Sequence, residues 1–341
     1  MASEAPPFWW EPAGAASLVL SPVSSIYAWA AARVLKRDKC PEIDLPVLCV
    51  GNFTVGGSGK TPVAIAVAME AFRQGLKPGF ISRGHGGSFG GVHLVDPASD
   101  SAKLTGDEPL LLARTAPTAV STNRLAAAKL LKDNDCDFII MDDGFQSRRL
   151  HVDYALIVVD THRGIGNGHV IPGGPLRARL VDQLLRTDAL LTLGSGDAAD
   201  KVVRMAARAA KPIFEAKVNA LNAKAVADKP CLAFAGIGNP EKFFDTIADC
   251  GGWLSLARSF GDHHFYSDEE LRELLEEAEA MGLQLVTTGK DAARLAHGSA
   301  TASEMLEKLI VLEIGVEFDP PSSTQTFIEE TMERFAIRAR R

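Results

Sequence analysis

The run Gly56-Gly57-Ser58-Gly59-Lys60-Thr61 has the residue types and spacing to hold a nucleoside triphosphate. Its glycines let the backbone curl so that N–H groups converge, and a helix entered through Pro62 adds its positive end to that ring of donors. Lys60 is spaced to reach the β- and γ-phosphates, and the Thr61 hydroxyl to ligate Mg²⁺. The strict pattern G-x-x-x-x-G-K-[ST] is broken, because Thr54 stands at the first glycine's position and Val55 follows it. A structural glycine turn is the alternative. The buried strand Val47-Leu48-Cys49-Val50 before the loop and the helix after it favour the phosphate site.

A second cluster points to the same chemistry. The apolar stretch Phe138-Ile139-Ile140-Met141 runs into Asp142-Asp143-Gly144-Phe145-Gln146. In a P-loop fold a carboxylate at the end of such a strand faces the Mg²⁺. Two adjacent aspartates are costly unless a cation or a donor network neutralises them; an Asp-capped turn is the alternative. Two relatives of the loop weaken on inspection. Switch ATPases carry an extra lysine where this chain has Val55, and the nearest match to a guanine-binding [NT]-K-x-D element, Thr288-Gly289-Lys290-Asp291, has the wrong spacing.

These residues need a parallel α/β sheet to position them, and the pattern from residue 46 onward supplies one. Strands are expected at Val47–Gly51, Gly79–Ser82, Phe138–Asp142, Ala155–Asp160 and Ala189–Leu193, with helices over residues 62–74 and 122–132. The glycine-rich stretch from Gly84 to Gly91 reads as a mobile loop. A composition shift near residues 195–230 leads into a second series, with strands at Cys231–Gly236, Trp253–Phe260, Leu285–Thr288 and Leu309–Ile314 and an acidic, solvated helix over 268–281. The fold class expected is α/β: a P-loop NTPase-type parallel-sheet domain over residues 41–215, a linker over 216–230, and a second, smaller α/β domain over 231–341 whose last helix could pack back on the first.

Composition narrows the partners. A net charge of -7 argues against nucleic acid, although a local basic cluster could still meet substrate phosphates. Five scattered cysteines without a C-x-x-C spacing suit a reducing cytosol rather than a disulfide framework or zinc site. No obligate protein partner is evident. Residues 1–20 carry Glu4 and Glu11 and lack a basic start, which argues against a cleaved signal peptide. Residues 1–40 form a membrane-associating segment in this reading. With Ser21 as N-cap and Pro22 at the first helical position, residues 21–37 form an amphipathic helix bearing Val23, Ile26, Tyr27, Ala30 and Val34 on one face. Pro22, Ser24 and Ser25 argue against a spanning helix. Phe8, Trp9, Trp10 and Trp29 with Arg33, Lys36, Arg37 and Lys39 suit a membrane interface. A helix packed on its own domain is the alternative.

With these elements placed, the chain resembles the tetraacyldisaccharide 4'-kinases, the lipid A 4'-kinases of Gram-negative bacteria. The resemblance rests on the run from Val50-Gly51-Asn52-Phe53-Thr54-Val55 through Thr61-Pro62, on Ser82-Arg83-Gly84, Gly106-Asp107-Glu108-Pro109, Asn123-Arg124 and Asp142–Gln146, on Pro172-Gly173-Gly174-Pro175-Leu176-Arg177, and on Phe260-Gly261-Asp262-His263-His264 and Lys290-Asp291-Ala292. It covers the chain from the N-terminal helix to about residue 295, and Thr54 is the family's own residue before V-G-G. The resemblance implies ATP and Mg²⁺ as cofactors, a lipid-linked glucosamine disaccharide 1-phosphate as substrate, and the cytoplasmic face of the inner membrane as the place of work, docked through the N-terminal helix. It implies Asp107 as catalytic base for the sugar hydroxyl, His263 as its support, and Asp142, Asp143 and Gln146 as the metal and nucleotide cluster. Arg83, Glu108, Asn123 and Arg124 match polar positions near substrate or transition state. The chain departs at His85, where relatives commonly have Tyr, and at Ala178, where they commonly have Glu; that acidic contact is not carried over to Arg179.

The residues by themselves allow other roles. Asp107 precedes Pro109 and an apolar helix, so it could act as an N-cap, and His264 could replace His263. A P-loop kinase of a soluble metabolite, or an ATPase switch that transfers nothing, also fits the phosphate loop.

Overall fold

The computed structural model describes residues 5–37 and 39–340. Residues 1–4 and Asp38 of the expected N-terminal segment, Glu4 among them, lie outside the described residues. Nine strands form the larger sheet, in the spatial order Ile314–Asp319, Ile213–Ala220, Ala189–Leu193, Tyr154–Asp160, Val47–Gly51, Phe138–Asp142, Pro78–Ser82, Thr118–Ser121 and Val92–Leu94. The seven inner strands are parallel and the two edges antiparallel. Their near-continuous Val, Ile and Leu runs are what a sheet covered on both faces requires.

One face carries the helices Lys60–Arg73 and Ser323–Ala339, whose Val63, Val67, Ala71, Phe327 and Ile328 meet Leu48, Ile140 and Leu156 of the strands. The other carries Arg124–Asp133, Leu180–Leu184 and Asp200–Arg208, through Ala127, Leu131, Leu184 and Val202. The strand Val47–Gly51 lies between Phe138–Asp142 and Tyr154–Asp160, so loops leaving its carboxyl end open at the point where the sheet's winding reverses, the usual ligand crevice of such sheets.

Four parallel strands form the smaller sheet, in the order Trp253–Ser259, Pro230–Ala235, Gln284–Thr288 and Ile310–Leu312. Its helices Pro240–Asp249 and Asp268–Met281 bury Phe243, Phe244 and Ile247, and Leu271, Leu274 and Ala278. The acidic helix opens with a Ser267–Glu270 capping box.

Two expected elements change on folding. The single strand expected at Leu309–Ile314 is two: Ile310–Leu312 ends the smaller sheet, and Ile314–Asp319 crosses to pair antiparallel with Ile213–Ala220. The final helix then packs on the larger sheet, where Arg338 donates to Asp153 and to the carbonyls of Ile43 and Leu45. The strand Ile213–Ala220 thus overlaps the region 216–230 that composition marks as a linker.

The second change is at the N-terminus. The helix runs from Ala15 to Leu35 with Gly14 as N-cap, so Ser21 does not cap it and Pro22 lies inside. Ala15, Ala16, Leu18 and Leu20 are good helix formers, and the helix continues through Pro22, two turns in, at the cost of one interior backbone hydrogen bond. The helix is long and apolar enough, by length and composition, to cross a membrane. It buries Ser17, Ser24, Ala28 and Leu35 and exposes Leu18, Val19, Val23, Ile26, Tyr27 and Trp29. Large apolar side chains outside and small or polar ones inside invert the usual arrangement of a packed helix.

Candidate active site

The phosphate loop leaves Val47–Gly51 and enters the helix at Lys60. Gly56 and Gly59 have φ of 101° and 80°, where a side chain is strained. A Cβ at Gly56 or Gly57 would meet nothing, so the cradle is open on that side, whereas one at Gly59 would strike Leu193. The buried Ser58 hydroxyl has no protein partner among the described residues.

Thr61 Oγ1 donates to Asp142 Oδ2 at 3.0 Å, and the other oxygen, Asp142 Oδ1, is buried without a partner among the described residues. Burial, then the nearby carboxylates of Glu108 and Asp143, push the Asp142 carboxyl up to about 7, against the opposing pull of Lys60. A buried carboxylate with an unused oxygen beside a threonine hydroxyl is the donor set Mg²⁺ takes alongside substrate phosphates. Thr61 and Asp142 therefore fit the metal.

Asp143 stands differently. Its φ of 55° turns it away from the strand, and Arg177 grips it with two hydrogen bonds, Nη1 to Oδ1 at 2.7 Å and Nη2 to Oδ2 at 3.0 Å. Lys60 Nζ lies 3.8 Å from its Oδ1. Burial opposes ionisation here, but Lys60 and Arg177 hold the carboxyl well below the usual range. Asp143 thus pairs with cations of the protein. Gln146, expected with the metal set, is occupied at both ends of its amide: Nε2 donates to Asn52 O at 2.7 Å and Gln183 Oε1 at 2.9 Å, and Oε1 accepts from Arg177 at 3.3 Å. Ala178 is fully buried, and its carbonyl accepts from Gln183 Nε2 at 2.8 Å.

Asp107 is the first residue of the helix Asp107–Ala113, whose N-cap is Gly106, so it is not the cap itself. Gly106 has φ of 93°, and a Cβ there would lie 2.6 Å from the carbonyl oxygen of His85. Asp107 is buried, 3% exposed, yet His263 from the loop after Trp253–Ser259 places Nδ1 3.2 Å from its Oδ2. Burial would raise the Asp107 carboxyl, but His263, Lys290 and Arg294 together hold it far below the usual range; the same contact raises His263. His264 turns instead to Glu270, at 3.0 Å. The rings of His85 and His263 lie 5.4 Å apart.

Glu108 accepts from Lys290 Nζ at 2.5 Å. Its carboxyl is lowered chiefly by Lys290 and further by Lys60, which ties it to the phosphate loop. Arg124 is buried at the first turn of its helix, donates to Ser121 O at 3.1 Å, and feels the charges of Asp143, Asp142 and Arg83. Arg83 is exposed at the end of Pro78–Ser82. Asn123 is exposed and caps the helix through Ala126 N at 3.2 Å, a structural task.

Sequence reasoning missed two contributors. Arg177 lies within a quoted motif but had no role, and Arg294 lies outside every motif. The loop bearing Arg177 also holds the N-terminal segment. Its Asn167 Nδ2 donates to Phe8 O, Ser17 Oγ and Gly173 O, Gly173 N donates to Ser24 Oγ, and Trp9 Nε1 donates to Pro172 O.

A sequence model described as tetraacyldisaccharide-1-P 4'-kinase matches residues 16–333. A protein named tetraacyldisaccharide 4'-kinase from Mesorhizobium japonicum is 58% identical over 339 residues, which is 99% of each chain. One of the same name from Brucella suis is 52% identical over 338 residues, again 99% of each. A crystal structure of LpxK from Aquifex aeolicus in complex with ATP has a TM-score of 0.70 at 23% identity, covering 92% of this chain and 99% of that one, a likeness of fold.

Proposed function

The chain belongs to the tetraacyldisaccharide-1-P 4'-kinase family, ATP-dependent enzymes of lipid A biosynthesis, and we propose that Asp107 is the residue that accepts the proton of the sugar 4'-hydroxyl as the phosphoryl group is transferred. The observation that carries this reading is the Asp107–His263 contact at 3.2 Å, next to Glu108, whose carboxyl feels the charge of Lys60.

In this reading the backbone of residues 54–59 and Lys60 bind the triphosphate, and Thr61 and Asp142 would hold Mg²⁺. When bound, that metal offsets charge on the phosphate oxygens. The 4'-oxygen bonds to the γ-phosphorus, the bond from that phosphorus to the β–γ bridging oxygen breaks with its electrons leaving on ADP, and the hydroxyl proton passes to Asp107. A secondary hydroxyl is far too weak an acid for an aspartate to ionise beforehand. In a loose transition state the proton moves late, so a low-pKa carboxylate suffices to orient and then receive it. His263 holds that carboxylate, and Lys60, Arg124 and Arg83 are the cations this reading assigns to the developing charge.

The exposed apolar face of the helix Ala15–Leu35 supports seating on a membrane, with Trp29 and Arg33 in cation–π contact at 3.9 Å. We place the enzyme on the cytoplasmic face of the inner membrane of a Gram-negative bacterium, where ATP is available and the acyl chains stay in the bilayer. The unit carrying His263 acts as a second domain that closes over the nucleotide.

Purified protein supplied with ATP, Mg²⁺ and a disaccharide lipid monophosphate should yield the bisphosphorylated lipid. Absence of product at saturating lipid, with ATP hydrolysis stimulated by a protein instead, would overturn the reading.

A further inference from the structure

The carboxylate of Asp107 is held by more than His263. Arg294, on the helix Gly289–Leu295, donates from Nε to Asp107 Oδ2 at 3.0 Å and from Nη1 to His264 O at 3.0 Å. Its Nη1 also lies 3.0 Å from Asp291 Oδ1. Asp291 is itself fixed: Oδ1 accepts from Gly236 N at 2.9 Å and Tyr266 OH at 2.6 Å, and Oδ2 from Thr288 Oγ1 at 2.5 Å. The Arg294 and Asp291 side chains are 1% and 0% exposed. A guanidinium taken this far from water is costly, so its geometry is set by the partners that compensate it.

Counting donors separates the two oxygens of Asp107. Oδ2 receives His263 Nδ1 and Arg294 Nε, which fills its two lone pairs. Among the described residues Oδ1 receives only the backbone N–H of Glu108, at 2.9 Å, and keeps one lone pair.

We propose that Arg294 is a positioning residue for phosphoryl transfer: anchored by Asp291 and the His264 carbonyl, it acts with His263 to fill Asp107 Oδ2 and leaves Oδ1 as the atom that takes the proton of the sugar hydroxyl. The proposal rests on the reading of Asp107 as proton acceptor. Lys290 stands four residues before Arg294, hence on the same face of the helix, and grips Glu108 as Arg294 grips Asp107. One helix of the smaller unit therefore sets two adjacent carboxylates of the larger one. The titratable groups facing Asp107 are Glu108 on its own helix, His263 from the loop, and Lys290 and Arg294.

The test uses the full chain with ATP, Mg²⁺ and the disaccharide lipid monophosphate, comparing Arg294→Met, Arg294→Lys, Asp291→Asn and Asp107→Asn. Arg294→Met should lower kcat about 10²-fold, the usual cost of a displaced reacting group, with the KM for ATP near wild type. Its kcat–pH profile should lose activity at a higher pH on the acid side, because a carboxylate without its cation protonates more easily. Arg294→Lys should recover part of the loss, and Asp291→Asn should move the acid limb in the same direction. A folded Arg294→Met with unchanged kcat, or with lower kcat, an unmoved acid limb and no recovery by lysine, would overturn the proposal. Should Arg294→Met fail to fold, an unmoved acid limb in both Asp291→Asn and Arg294→Lys would overturn it equally. Normal turnover by Asp107→Asn would instead sink the reading beneath it, whereas an inactive Asp107→Asn with silent Arg294 variants sinks this proposal alone.

Discussion

Arg177 and Asp143 form a two-point clasp, with N–O distances of 2.7 and 3.0 Å, on a loop that also binds the N-terminal helix. The same loop touches the phosphate site directly. Val55 N donates to Pro175 O at 2.9 Å, and Arg177 N to Phe53 O at 3.0 Å. One segment thus ties the apolar N-terminal helix to the phosphate loop.

Replacing Arg177 by lysine keeps a charge but loses the fork that matches a carboxylate. Charge-assisted hydrogen bonds of this kind are worth about 1.5–3 kcal/mol each. Since the clasp is partly exposed, the lower end applies, and kcat/KM for ATP should fall roughly tenfold in steady-state assays. Wild-type kinetics would show that Asp143 needs only a nearby charge.

Asp107→Asn removes the proposed proton acceptor while nearly preserving shape. Turnover should drop by about 10²–10⁴-fold. Binding of a fluorescent ATP analogue should persist, because no atom of Asp107 belongs to the phosphate loop. Loss of both together would point to a folding defect instead.

As the proposed Mg²⁺ ligand, Asp142 should give metal binding a pH dependence. Its carboxyl is raised to about 7 by burial first and by Glu108 and Asp143 next. Mg²⁺ needs the carboxylate, so a proton competes with the metal and affinity should fall as pH drops below about 7. Calorimetry of Mg²⁺–nucleotide binding near neutral pH, in two buffers of different ionisation enthalpy, should report proton release. Identical heats would contradict the shift.

His263 links stability to pH in the opposite sense. The hydrogen bond to Asp107 chiefly raises its pKa, against burial, so the folded state binds its proton more tightly than the unfolded chain. That contribution is complete below the unfolded value of about 6.5 and is lost as pH rises through the higher folded value. Thermal unfolding across this window should show a falling Tm for wild type and a flatter trace for His263→Gln. Parallel curves would remove His263 from the linkage.

On the N-terminal helix, Val19, Val23 and Ile26 are 77%, 55% and 69% exposed. Changing all three to serine should leave Tm within a few degrees, since exposed substitutions typically cost under about 0.5 kcal/mol. Partition to anionic liposomes should fall at least about tenfold, because each buried aliphatic side chain contributes about 1.5–3 kcal/mol at an apolar boundary. Unchanged partition would place membrane contact elsewhere.

What the sequence by itself determined was local. The phosphate loop, the apolar strand ending at Asp142, and most strands of both sheets follow from spacing within a few residues, where backbone geometry dictates neighbours. The N-terminal helix was legible as apolar, but Pro22 obscured its start, because proline favours a helix's first turn and here lies two turns inside one. Only the tertiary structure brought His263 to Asp107 across 156 residues and Arg294 across 187. It chose His263 over His264 by turning the second histidine toward Glu270. It also gave Asp291 and Lys290, which resembled fragments of a base-recognition motif, work on Arg294 and Glu108. Ionisation followed the same division: neighbouring aspartates 142 and 143 are identical in sequence terms, yet one is raised by burial and the other lowered by Lys60 and Arg177. Charges and donors gathered from distant segments decide that difference, and their meeting depends on how two sheets pack, which no local pattern encodes.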